Sequence, residues 1–92
     1  MRIIINNDIF YRFEPNIDNG TLIVFFKDTN KIYELTKPYY IYLTGLENSY
    51  KNIEELFLSE YNDLSVHEVK KYISLIENKL FEIGVLVLLW II

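Results

Sequence analysis

Side chains able to do chemistry are present in this chain, but their spacing does not gather them. Glu54, Glu55, Glu68, Glu77 and Glu82 fall in stretches of helical period, and paired carboxylates are a common apparatus of general acid–base work. Glu55 stands three residues after Asn52, and Glu68 three after Ser65. At that spacing a glutamate reaches back to close the first turn of a helix, so capping accounts for both, and the others lie on helix surfaces. His67 falls on the polar side of a predicted first turn, and one histidine in a chain without cysteine cannot build a zinc site. Three glycines form no phosphate-cradling loop, and no nucleophile motif occurs. Lys70 and Lys71 are offset by Glu68 and Glu77. The residues therefore predict no catalytic site, no metal and no cofactor, and the chain reads as a non-enzyme.

The elements that carry these residues are legible from period and punctuation. Ile9–Phe13 is aromatic and apolar and predicts a first strand, stopped by Pro15. Asp18-Asn19-Gly20 supplies the left-handed conformations of a tight turn. Leu22–Phe26 is an unbroken apolar run, expected to be a central strand. After the turn Lys27–Asn30, Lys31–Leu35 alternates, with Tyr33 and Leu35 on one face and Ile32 and Glu34 on the other, as suits an edge strand. From Thr36 the period changes to about 3.6. Thr36 as N-cap, Pro38 in the first turn and Gly45 as stop predict one helix; Asn52 with Glu55 opens a second; Ser65 with Glu68 opens a third, from Val66 to about Ile83, ended by Gly84. The expected fold is α+β: a three-stranded antiparallel sheet followed by three helices, in winged helix-turn-helix order.

Ninety-two residues with half of them hydrophobic make one small globular domain. A net charge of −4 disfavours nucleic acid, whose binding rests on neutralising phosphates; a winged-helix DNA regulator is thus the lesser reading. The N-terminal run Met1–Asp8 is too short for a signal peptide, so a cytoplasmic location is expected. Gly84–Ile92, GVLVLLWII, is uncharged but well short of the roughly 20 apolar residues that span a bilayer, so no membrane span is expected. Such a run fits either burial against the core or cover by a partner, a homodimer through the apolar C-terminus included.

The third helix carries an apolar stripe of Val66, Val69, Ile73, Ile76, Leu80 and Ile83 that widens on one side through Tyr72, Leu75 and the stem of Lys79. That breadth fits either cover by the rest of the domain or one wall of a groove.

Asp28, Tyr33 and Leu35-Thr36, then Gly45, Ile53-Glu54-Glu55-Leu56 and Tyr61, then Val69, Ile73, Leu80 and Ile83-Gly84-Val85-Leu86 follow in an order and spacing that resembles the PqqD-like family, also called the RiPP recognition element. The resemblance covers about residues 9 to 86. It implies a domain over 1–86 with Val87–Ile92 as an apolar extension, and Asn48-Ser49-Tyr50 departs from the family's plainer link. It further implies a non-catalytic module that binds the leader segment of a ribosomally synthesised precursor peptide as a strand added to the third strand. The guest would then be delivered to a modifying enzyme such as a lasso-peptide protease or cyclase or a radical SAM maturase. Carried onto this chain, the peptide would meet Lys31, Ile32, Tyr33, Glu34 and Leu35 on one side and Val69, Tyr72, Leu75, Ile76 and Lys79 on the other.

Overall fold

The computed structural model describes residues 2–48 and 52–90. Its order is β1 (Arg2–Ile5), β2 (Ile9–Glu14), β3 (Thr21–Phe26), β4 (Ile32–Thr36), α1 (Lys37–Glu47), α2 (Ile53–Glu60), α3 (Val66–Glu82) and β5 (Leu86–Leu89). β2, β3 and β4 form the expected antiparallel meander with β3 in the middle. Its turns use the predicted chemistry: Asp18, Asn19 and Gly20 have φ of 47°, 64° and 114°, and Asn30 has φ of 58°. Leu22 and Val24 are fully buried beneath the helices, as a central strand requires.

The chain's two ends were not foreseen as strands. β1 pairs antiparallel with β5, Ile3 opposite Leu88 and Ile5 opposite Leu86, as a separate two-stranded ribbon. Asn6 ties it down, its N–H donating to the Val85 carbonyl at 2.8 Å and its side-chain amide to the Gly84 carbonyl at 3.1 Å. Gly84, with φ of 89°, makes the turn that sends the chain from α3 into β5. The expected domain boundary after Leu86 therefore falls inside a strand. Val85 and Leu86 are core residues, whereas Leu88, Leu89 and Trp90 are exposed. Of the expected extension, Ile91 and Ile92 lie outside the described residues, as do Ser49 and Tyr50 of the departure from the family pattern.

Helix starts follow the sequence closely. Ser65 and Glu68 close a full reciprocal box, Glu68 N–H to Ser65 Oγ at 3.1 Å and Ser65 N–H to Glu68 Oε1 at 3.0 Å. The bond from the Ser65 backbone N–H foremost, and then the Ser65 hydroxyl, hold the Glu68 carboxyl below the usual carboxylate range. Asn52 Oδ1 accepts from Glu55 N–H at 3.2 Å. Thr36 takes the N-cap position of α1 without a side-chain cap bond. Gly45, expected as the stop, instead lies within α1, which runs on to Glu47. A Cβ there would stand 3.1 Å from Leu56 Cδ2 and 3.4 Å from Ile53 Cγ1, so this glycine lets α2 close onto α1 rather than ending the helix.

The core joins Leu22 and Val24 of the sheet to Tyr42 and Leu43 of α1, Phe57 of α2, and Val69, Ile76 and Leu80 of α3. Tyr42, 1% exposed, donates its hydroxyl to Glu77 Oε2 at 2.6 Å and so ties α1 to α3. Burial first and that bond second push the Tyr42 phenol far above its ordinary range. On the sheet side the Tyr11 hydroxyl makes a close bond to Glu47, and Phe13 stacks on Tyr40 at 4.3 Å.

Candidate peptide-binding edge

Among the described residues β4 pairs on one side only, with β3. Antiparallel pairing alternates bonded and non-bonded residue pairs, so one bond fixes the phase of the strand. Phe26 N–H donates to the Lys31 carbonyl at 2.9 Å, which puts the bonded pairs at Phe26–Lys31, Val24–Tyr33 and Leu22–Leu35. On β3's other side, Lys27 N–H donates to the Asp8 carbonyl at 3.0 Å, the complementary phase. The backbone groups of Ile32 and Glu34 consequently point away from β3, and among the described residues no strand meets them. The open edge offers a donor and an acceptor from each of these two residues.

The side chains of β4 divide as the alternation predicts. Tyr33 and Leu35 are half-buried on the core side, and Ile32 and Glu34 are exposed on the other. Thr36 leads into α1 without a loop, so the helix fixes the end of the edge. At its beginning Lys31 and Tyr33 share a hollow of about 150 Å³ with Phe26, Thr29 and Ile83. Tyr33 meets Phe26 edge to face at 5.7 Å. Here the end of α3 comes to β4, through Ile83.

The expected opposite wall is only partly realised. Val69 and Ile76 are 0% and 1% exposed and belong to the core, so neither can touch a guest; both lie at the centre of the α3 stripe, where packing claims them first. Tyr72 and Leu75 line a different recess, of about 370 Å³, with Leu64, Glu68 and Lys71. Tyr72 packs edge to face on Phe57 of α2 at 6.3 Å. Burial foremost, and then the charge of the Tyr72 phenol, raise the phenols of Tyr39 and Tyr61 above their ordinary range. Leu75 and Lys79 are exposed. The one-sided breadth of α3 thus serves α2 at Tyr72 and open surface at Leu75 and Lys79.

Phe26, Thr29 and Ile83 were not anticipated as neighbours of the edge. Ile83 was legible as the last residue of the α3 stripe, and Phe26 as the end of the buried strand. Their meeting with Tyr33 depends on how the helices sit over the sheet, which no local pattern encodes. No group of metal-binding side chains occurs among the described residues, and none of the described helices is long and apolar enough to cross a membrane. Comparison with protein-family models, with curated proteins and with solved structures returns no match to this chain.

Proposed function

We propose that this protein is a non-catalytic peptide-recognition module on a winged-helix-like frame, acting in the cytoplasm. It takes an extended peptide as a further strand along β4 and presents it to a partner enzyme. The guest is the leader segment of a ribosomally made precursor, and the partner a peptidase or radical SAM maturase that modifies the rest. The observation that carries the reading is the open edge of β4, with the N–H and C=O groups of Ile32 and Glu34 unpaired by any described strand. An added strand satisfies such groups through its backbone, and pockets for alternate side chains supply specificity. The hollow between Tyr33 and Ile83 can receive one such side chain.

The test is titration of isotope-labelled protein with a synthetic leader peptide, with Glu34→Pro as the perturbation. The amides of Ile32 and Glu34 should move most, together with Ile83. Proline at 34 removes an outward donor without removing a ladder bond to β3. Affinity should fall at least tenfold while the fold persists. Full binding by the proline variant would rule out strand addition at β4.

A further inference from the structure

The face of the sheet turned away from the helices is not a plain solvated surface. Phe10, Phe25 and Ile32 lie side by side across β2, β3 and β4, and Phe10 and Ile32 are each 63% exposed. The next row on the same face is Arg12, Ile23 and Glu34. Neither Ile23 nor Phe25 packs against the core. An antiparallel sheet with one free face normally alternates polar residues there, so four large apolar side chains in two adjacent rows call for cover.

We infer that this face associates with the same face of a second copy of the chain, about a twofold axis running along β3. The charge pattern selects both the occupant and the axis. The second row reads differently at its two ends: a cation at Arg12 and an anion at Glu34, with Ile23 between. A twofold along β3 lays β2 of one copy over β4 of the other. Each Arg12 then stands over the second copy's Glu34, each Phe10 over its Ile32, and Ile23 and Phe25 meet their own counterparts. A twofold across the strands would instead set Arg12 over Phe10 or over its own counterpart, or, shifted toward the Glu14 row, would leave Phe10, Phe25 and Ile32 uncovered. Arg12 already holds Glu14 Oε1 through Nε at 2.6 Å, which fixes the guanidinium and leaves its terminal nitrogens to reach across. Lys27, one row beyond, leans over the Phe10 ring at 4.8 Å, which draws its ammonium toward β2 and away from its own counterpart.

The arrangement is a small β-sandwich, and stacking face to face leaves both β4 edges free, so the dimer carries two guest sites. Three strands and five residues give a face of about 14 by 17 Å. At about 240 Å² that is well below the roughly 800 Å² per partner of a standard interface, so association is weak and shows only at high protein concentration.

Sedimentation velocity over a series from about 10 µM to about 1 mM, the range weak interfaces span, tests this. The wild type should pass from monomer to dimer. Arg12→Glu and Glu34→Arg each turn two attractive pairs into repulsive ones and should raise the dissociation constant about tenfold or more. The double exchange Arg12→Glu/Glu34→Arg should restore the dimer, which loss of fold in a single variant could not mimic. A wild type still monomeric at the top of the series overturns the inference. So does a dimer indifferent to both single exchanges but abolished by Leu88→Asp, which would put the contact on the β1–β5 ribbon.

Discussion

The bond from Tyr42 to Glu77 joins the helix that continues β4 to the helix whose end meets β4 at Ile83, so removing it should both destabilise the fold and loosen the edge. Tyr42→Phe deletes one oxygen from a side chain 1% exposed and leaves the ring's packing intact. Neutral hydrogen bonds contribute about 1 kcal/mol net, those to a charged partner about 1.5–3, and the orphaned carboxylate keeps only what water reaches it. Glu77 is partly exposed and can recover some hydration, so the expected loss is about 1–2 kcal/mol. For a chain of 92 residues, unfolding entropy converts each kcal/mol into about 5 °C, giving a fall in Tm of about 5–10 °C. Thermal and urea unfolding of wild type, Tyr42→Phe, Glu77→Gln and the double variant form a closed cycle. The two single losses should exceed the double loss when added. Strict additivity, or a Tm within 1 °C of wild type for Tyr42→Phe, would show that the tie is incidental to the packing of α1 on α3.

Three further outcomes are expected. Gly20→Ala forces φ of 114° on an L side chain and sets its Cβ 2.6 Å from Phe13 Cζ, which should cost about 1–3 kcal/mol and disturb the Phe13–Tyr40 stack in near-UV circular dichroism. The lowered Glu68 carboxyl contributes stability above the ordinary glutamate pKa of about 4.3, and that contribution disappears as pH falls through the lower folded value; the stability gap between wild type and Glu68→Gln should be flat near neutrality and shrink in acid, and a gap that widens in acid would contradict the cap. In gel shifts at low ionic strength, duplex DNA should not be retained by a chain of net charge −4; salt-sensitive retention would favour the winged-helix regulator.

What the sequence made legible is what local chemistry decides. The turn at Asp18-Asn19-Gly20, the box at Ser65 and Glu68 and the alternation of Lys31–Leu35 each act within a few residues, and each appears in the structure where it was expected. Ile3–Ile5 and Leu86–Leu89 were missed because each is short and uniformly apolar. Such a run carries no period, and each half of the ribbon owes its form to a partner at the far end of the chain. Gly45 was misjudged because low helix propensity and the need for close helix approach leave the same residue in the sequence. The groove was half legible: the β4 edge follows from alternation, but the sharing of α3's wide flank between α2 and open surface is a matter of tertiary placement.

The ribbon of β1 and β5 also bears on the order in which the molecule assembles. The hairpins β2–β3 and β3–β4 close over short stretches, whereas Ile3 and Leu88 lie nearly the whole chain apart. Closing so long a loop is slow and is rewarded only once the intervening core exists. The meander and its helices should therefore condense first, with Ile3, Ile5 and Leu86 still uncovered, and the ribbon should latch last. By the same reasoning it is the first element to release, so amide exchange at Ile4 and Val87 should report an opening of the latch well before the unfolding of β3.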